Sequence, residues 1–203
     1  PMSANTIAQR IAMDKGNVCR AVARLEHRRL ILREPDRDDH RVVNLSLTST
    51  TTGAPSEDPL NAAVEEAWNR GIVVVAAAGN RGASDTAMQY APGNDPYVIT
   101  VGALDDQGTT TRDDDAAASW SSRGVTQDGV AKPEVYAPGS QIVSTLAPGS
   151  EFASQCPSCV VSDAYIQAGG TSMAAPMVSG TVALMLERRP WLTPNQVKGI
   201  LMS

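Results

Sequence analysis

The sequence is short of residue types on which several structural classes depend. Its 203 residues include one phenylalanine, two histidines and three cysteines. Two of the cysteines form the only C-x-x-C pair, Cys156 and Cys159, and a zinc site of paired cysteines would need a second pair. No apolar run is long enough to span a bilayer, and the chain does not begin with the basic-then-apolar pattern of a secretory signal. We therefore expect no membrane partner, no metal and no cofactor, and we interpret the cysteine pair as a small disulfide-closed loop in an oxidising environment.

The composition that is present suits a globular chain with two unlike parts. Apolar residues make up 42% of the sequence, enough for a buried core, and the frequent alanine permits helices to pack closely on a parallel sheet. Residues 1–43 carry nine Lys or Arg against six Asp or Glu, whereas residues 44–203 carry eight against sixteen. A basic segment suits a polyanionic partner, and an acidic body does not.

The segment Gly170-Thr171-Ser172-Met173-Ala174-Ala175-Pro176 predicts a serine at the start of a helix. A glycine-permitted turn would expose the Ser172 hydroxyl. The unpaired N–H groups and positive dipole end of the helix would favour a developing oxyanion. Pro176 is expected in the first turn, where its missing N–H costs little. Taken alone, Gly-Thr-Ser could equally be an ordinary helix cap.

A second segment places a polar side chain at the end of a predicted buried strand. Residues 71–78 form an unbroken apolar run that ends in Gly79-Asn80. This pattern is typical of a buried parallel strand, and ligands bind at the carboxyl ends of such strands. Gly-Asn is also a common turn, so Asn80 carries little weight by itself.

Together these motifs resemble those of the subtilisin-like serine proteases, or subtilases, over about residues 42–203. The resemblance implies that Ser172 is the nucleophile of an endopeptidase and that the Asn80 side chain is an oxyanion-hole donor beside the Ser172 N–H. Val42 to Thr48 matches the family's substrate-binding strand, with Thr48 where glycine is usual. The implied substrate-binding residues are Ser46, Leu47, Ala77, Ala78 and Gly79.

The resemblance implies an α/β fold, a partial subtilisin-like parallel sheet flanked by helices, and the remaining pattern agrees with it. Residues 58–70 read as an amphipathic helix with Ala62, Ala63, Val64, Ala67 and Trp68 available for packing. A turn at residues 92–96 leads into another buried strand. One long helix is expected from Ser172 to about Arg188, and a shorter one from Thr193, with Pro190 between them as a breaker.

The base and orienting carboxylate of a serine protease have no recognisable counterpart. The family's Asp-Thr-Gly turn and His-Gly-Thr-His helix do not occur in the sequence. His27 and His40 both lie in charged surroundings, which are typical of solvated surface histidines. We therefore expect a chain that keeps the nucleophile and oxyanion residues but is inactive as it stands.

Residues 1–49 resemble the winged helix-turn-helix of the MarR transcription regulators. The wing signature is met by Asp39, Arg41, Leu47 and Thr48. The resemblance implies a small DNA-binding fragment that precedes the α/β part, and this is the alternative function. Its expected DNA contacts are Lys15, Asn17, Arg20, Arg24 and Arg41. The arginines at four-residue spacing are equally compatible with an ordinary solvated helix face.

The two resemblances share residues 42–48, which cannot pair in both ways at once. We predict a winged-helix fragment over residues 1–48 and a subtilase-like portion over 49–203, spliced by recombination, frame mis-assembly or design. An incomplete sheet would leave an unpaired edge around residues 73–77 and 98–101, so self-association is expected. A peptide or protein is the expected substrate. Localisation stays open, since subtilases are mostly secreted and MarR proteins are cytoplasmic.

Overall fold

The computed structural model describes residues 41–203. The helices are α1 (Pro59–Asn69), α2 (Glu151–Gln155), α3 (Thr171–Arg188) and α4 (Pro194–Leu201), with short 3-10 turns at Pro55–Glu57 and Pro157–Cys159. The strands are β1 (Arg41–Leu45), β2 (Ile72–Ala77), β3 (Ile99–Asp105), β4 (Ala116–Ala117), β5 (Gly124–Val125), β6 (Ala131–Lys132), β7 (Val135–Pro138), β8 (Ile142–Thr145), β9 (Val160–Ser162) and β10 (Tyr165–Ala168).

A mainly parallel sheet forms the centre of the described fold. Strands β1, β2, β3 and β7 are parallel neighbours in that order, and the short β4 pairs antiparallel with the end of β3. Helices α1 and α3 pack against the sheet, and the core consists largely of valine and alanine, including Val75, Val101 and Val182. The predicted α/β architecture, a parallel sheet flanked by helices, is confirmed.

Local signals in the sequence set the limits of two helices. Helix α1 begins at Pro59 because the Asp58 carboxylate accepts the Leu60 N–H at 2.8 Å. Its face toward the sheet buries Ala63, Val64 and Trp68 as predicted. Ala62, also predicted to pack, is exposed. Helix α4 begins after Thr193 with a complete capping box to Gln196.

Helix α3 begins one residue earlier than predicted, at Thr171, and Pro176 is its sixth residue. The proline lies in the second turn, inside the helix, rather than in the first turn. A proline there lacks the N–H that would bond to the carbonyl four residues earlier, which is that of Ser172. The carbonyl of Ser172 is therefore free to accept a different donor.

The expected unpaired edge does not lie where the sequence placed it. Strand β2 is flanked by β1 and β3, and β3 by β2 and β7, so residues 73–77 and 98–101 are buried inside the sheet. Strand β1 takes the subtilase-type pairing of the two alternatives, parallel to β2 from Arg41 opposite Ile72 to Leu45 opposite Ala76. Because both strands are buried and paired on each side, they offer no open edge that would support self-association, which stays a prediction.

A buried cluster of charged residues contacts the backbone at the start of β3. Lys132 is 3% exposed, and its Nζ lies 2.5 Å from Glu134 Oε1, which Lys198 Nζ also approaches at 2.7 Å. Burial lowers the pKa of Lys132 to about 8, against the opposing effect of Glu134. Nearby, burial raises the pKa of Asp95 to about 6, although its carboxylate accepts the N–H groups of Tyr97 and Val98. The cluster is structural and lies outside the pocket described below.

A smaller antiparallel sheet, β8-β10-β9, precedes α3. The predicted disulfide between Cys156 and Cys159 is present beside it. Within residues 41–203, no helix is both long and apolar enough to cross a membrane.

Candidate functional site

A pocket of about 420 Å³ lies where β1 and β2 end and α3 begins. The topology explains this position, because β1 and β2 are parallel and their carboxyl ends meet at one edge of the sheet. The helix contributes its N-terminus, with unpaired N–H groups and the positive end of its dipole. The pocket is lined by Ser46, Leu47, Thr48, Ala77, Gly79, Asn80, Arg81, Thr171 and Ser172.

The Asn80 side chain is held in one orientation by Thr171. Its Oδ1 accepts the Thr171 backbone N–H at 3.0 Å and the Thr171 hydroxyl at 3.1 Å. That hydroxyl in turn accepts the Gly79 N–H at 3.0 Å, so the end of β2 and the start of α3 are tied together. With Oδ1 engaged, Nδ2 is available as a donor, and it bonds to no acceptor within residues 41–203.

Gly170 keeps open the space between two potential donors. A Cβ built on this residue would lie 3.4 Å from Asn80 Nδ2 and 3.7 Å from the Ser172 backbone nitrogen. The Ser172 N–H, in the first turn of α3, has no acceptor in the described part of the chain. Gly170 also has φ +155°, which residues with a side chain rarely adopt. Both donor nitrogens thus lie near one point that glycine leaves empty, with Met173 Sδ 3.6 Å from the same point.

Ser46 anchors the start of α3 to the end of β1. Its hydroxyl donates to the Ser172 carbonyl at 3.0 Å, the carbonyl that Pro176 leaves without a helical partner. The same hydroxyl accepts Asn44 Nδ2 at 3.0 Å, and Asn44 Oδ1 accepts the Ser179 hydroxyl at 2.9 Å. The backbone of Ser172 is therefore fixed from both sides of the pocket.

Most of the expected site residues come together in this pocket. Asn80, Ser172 and four of the five expected substrate-binding residues line it, the four being Ser46, Leu47, Ala77 and Gly79. Ala78 does not: it is 2% exposed and its N–H bonds to the Val101 carbonyl at 3.0 Å. Ala77 is equally buried and does line the pocket, so burial does not decide the matter, and substrate binding by Ala78 stays a prediction.

Three lining residues were missed by the sequence reasoning. Thr171 lay inside the quoted serine motif, and its orienting role depends on a contact with a residue 91 positions away. Thr48 was noted only as a replacement for glycine. Arg81 directly follows Asn80, so its position beside the site was the available signal.

Arg81 is the charged residue of the pocket lining. Its guanidinium carbon lies 3.6 Å from the centre of the Tyr90 ring, and Nη2 donates to Thr48 Oγ1 at 3.2 Å and to the Ser49 carbonyl at 3.4 Å. Its backbone N–H donates to Ser122 Oγ at 3.0 Å. The side chain is thus held from several directions while it forms part of the pocket wall.

The other expected functional residues lie outside the described part of the chain. These are four of the expected DNA contacts, Lys15, Asn17, Arg20 and Arg24; the two histidines, His27 and His40, which were expected to be solvated surface residues, also lie there. The fifth, Arg41, begins β1. Between residues 41 and 203, no group of three or more His, Cys, Asp or Glu is arranged to hold a metal ion.

Comparison with known proteins gives one consistent result. The sequence model of the Subtilase family matches residues 7–203, which includes most of the segment that resembles MarR proteins. Serine protease AprX of Bacillus subtilis is 50% identical over 71% of this chain and 33% of its own length. Subtilisin DY of Bacillus licheniformis is 38% identical over 80% of this chain and 48% of its own length.

Solved structures agree. A cold-adapted subtilisin-like serine proteinase superposes with a TM-score of 0.58 at 32% identity, over 79% of this chain and 46% of that one. The chain therefore spans about a third to a half of the length of the curated relatives named above. These comparisons lend no support to a winged-helix part.

Proposed function

Because the chain belongs to the subtilase family of serine proteases, we propose that its pocket is the nucleophile and oxyanion-hole half of a serine endopeptidase site. The observation that carries the proposal is the convergence of Asn80 Nδ2 and the Ser172 N–H on the space beside Gly170. Two donors held near one open point are what an acyl-transfer site needs.

In this proposal Ser172 Oγ attacks the carbonyl carbon of a peptide bond. The carbonyl π electrons move to the oxygen, and the resulting oxyanion accepts hydrogen bonds from Asn80 Nδ2 and the Ser172 N–H. Collapse of the tetrahedral intermediate breaks the C–N bond, and the amine leaves with the proton that the serine hydroxyl gave to a general base. The acyl group left on Ser172 is then removed by water. Thr171 and Ser46 do not touch the reacting atoms and act as positioning residues.

The attack requires a base to take the serine proton, and no histidine occurs between residues 41 and 203. Without a base the hydroxyl keeps its proton at neutral pH. What remains is the oxyanion hole plus binding, a residual of roughly 10³–10⁴ over water, as in the known example of subtilisin. We therefore propose that this chain does not cleave peptides at a protease-like rate.

A fluorophosphonate probe tests the proposal, since it phosphonylates an active-site serine oxygen and releases fluoride. We expect slow labelling, located at Ser172 by mass spectrometry, absent in Ser172→Ala and slowed at least tenfold in Asn80→Ala. Ser154→Ala, an exposed serine outside the pocket, is the matched control and should label like the unmodified chain.

Two outcomes would contradict it. Labelling that is no greater than in Ser172→Ala would remove Ser172 as the nucleophile. Rapid labelling that is lost in His27→Ala or His40→Ala would show that one of these histidines acts as the base, so that the expected inactivity is wrong.

DNA binding by residues 1–48 is the alternative function, and no observation in the described residues favours it. It would predict weak binding with little sequence preference, with a salt slope that falls by about one unit for each phosphate contact removed, for example in Arg20→Gln. Binding that does not change with salt would exclude it.

A further inference from the structure

We propose that the pocket selects an acidic side chain, glutamate or aspartate, on the substrate residue that supplies the reacting carbonyl, and that Arg81 is the residue that recognises it. The inference rests on the proposed function, because it names the substrate class of the same pocket. Arg81 shares the wall of one pocket of about 420 Å³ with Asn80 and Ser172. A side chain on the residue whose carbonyl reaches Ser172 can therefore reach Arg81.

The guanidinium is fixed in place before any ligand arrives. One face lies on the Tyr90 ring, 3.6 Å from its centre, and Nη2 is held by Thr48 Oγ1 and the Ser49 carbonyl. Nη1 lies against Gly79, where a Cβ would come within 2.9 Å of it. An arginine that is held in this way loses little side-chain entropy when it binds a ligand, so its donors are preorganised.

Two donor atoms of the Arg81 side chain, Nε and Nη1, remain available for a ligand. The hydrogen bonds of the side chain within residues 41–203 all come from Nη2, so Nε and Nη1 keep their N–H groups free of partners there. Within the same residues no carboxylate forms an ion pair with Arg81. The pocket lining contains no acidic side chain.

A carboxylate is the ligand that this arrangement fits best. The planar guanidinium fork matches two carboxylate oxygens, and charge-assisted hydrogen bonds are about twice as strong as neutral ones. Arg81 is the charged residue of the lining, so a carboxylate gains an ion pair there that an uncharged side chain does not. A lysine or arginine side chain would meet the fixed positive charge, which raises the free energy of the complex.

Binding of peptides to the full 203-residue chain tests the inference without any need for turnover. The probes are fluorescein-labelled Ala-Ala-Pro-Xaa amides, with Xaa Glu, Gln, Leu or Lys, and the readout is fluorescence polarisation. The amide end removes the terminal carboxylate, which would otherwise compete for Arg81. The same titrations are made with Arg81→Gln and Arg81→Glu. Arg112→Gln, which changes an exposed arginine outside the pocket, is the matched control.

We expect the Glu peptide to bind about tenfold more tightly than the Gln peptide, since a hydrogen bond to a charged group exceeds a neutral one by about that factor. The difference should shrink with added salt, vanish in Arg81→Gln, persist in Arg112→Gln and reverse in favour of Lys in Arg81→Glu.

Equal binding of the Glu and Gln peptides to the unmodified chain would overturn the inference and leave the pocket as a peptide site. This comparison needs no variant, so it stands even if Arg81→Gln fails to fold. If none of the four peptides binds, the acidic preference and the peptide site fall together. Labelling of Ser172 then reports separately on the nucleophile.

Discussion

Replacement of Thr171 by valine removes one hydroxyl and leaves the shape of the side chain unchanged. Thr171 is 1% exposed, and its hydroxyl accepts the Gly79 N–H and donates to Asn80 Oδ1. A buried N–H left without a partner costs about 1–3 kcal/mol, and the lost bond to Asn80 adds about 1 kcal/mol. We therefore expect the free energy of unfolding to fall by about 2–4 kcal/mol.

The assay is urea unfolding followed by circular dichroism, together with thermal melts. A loss of 2–4 kcal/mol should lower Tm by roughly 4–16 °C for a chain of this size. Thr181→Val is the matched control, because Thr181 is an exposed threonine of the same helix whose hydroxyl bonds only within α3, to the Met177 carbonyl. Thr171→Ser, which restores the hydroxyl, should recover most of the lost stability.

If Thr171→Val and Thr181→Val unfold at the same urea concentration, the link between β2 and α3 has no energetic value. The claim that Asn80 is held in place would then fail as well. A Thr171→Ser variant as unstable as Thr171→Val would point to packing of the methyl group as the cause, in place of the hydrogen bonds.

Three further predictions concern other parts of the molecule. Gly170→Ala places a Cβ near both oxyanion donors, on a backbone with φ +155°. Labelling of Ser172 by the fluorophosphonate should slow at least tenfold, and the free energy of unfolding should fall by about 1–3 kcal/mol. An unchanged labelling rate would show that the oxyanion does not lie there. Burial raises the pKa of Asp95 from 3.8 to about 6, so its protonated form favours the folded state and stability should decline as pH rises through that interval. Asp95→Asn should flatten this part of the pH profile in urea unfolding, and an identical profile would refute the assignment. Glu134→Gln leaves Lys132 and Lys198 without their carboxylate and should lower the free energy of unfolding by about 3–5 kcal/mol. Glu66→Gln removes the carboxylate of an exposed pair and should change that free energy by less than about 1 kcal/mol. Equal losses would show that burial of the cluster does not matter.

The elements of the fold were predictable because their signals are local. The apolar run at residues 72–77, the cap at Asp58 and the capping box at Thr193 each specify an element from a few neighbouring residues. The start of α3 was misplaced by one residue because the Thr171 N–H is capped by Asn80, 91 positions earlier. Pro176 is the fifth residue of a helix that begins at Ser172 and the sixth of one that begins at Thr171, so it lies in the second turn and leaves the Ser172 carbonyl free in either case.

The site was predictable in its residue types but not in its supporting contacts. Ser172 and Asn80 stood in recognisable motifs, whereas the hydrogen bond from Ser46 to the Ser172 carbonyl spans 126 positions. The contact between Arg81 and Thr48 likewise joins two loops that are 33 positions apart. Such contacts depend on how the strands are arranged in the sheet, and one sequence does not specify that arrangement by periodicity alone.

The central claim is that this chain holds a serine and an oxyanion hole but lacks the base and its orienting carboxylate, and added imidazole, which supplies a base, tests it most directly. Imidazole is added to the chain together with a peptide p-nitrophenyl ester. Acylation of the serine is monitored by the absorbance of the nitrophenolate that it releases. Imidazole also cleaves such esters without protein, and this background is subtracted. We expect a remaining imidazole-dependent rate that is absent in Ser172→Ala and falls in Asn80→Ala by about 10²–10³, the loss known for a subtilisin oxyanion donor. An imidazole-dependent rate that is equal in the unmodified chain and in Ser172→Ala would contradict the claim. So would rapid acylation of Ser172 in the absence of imidazole.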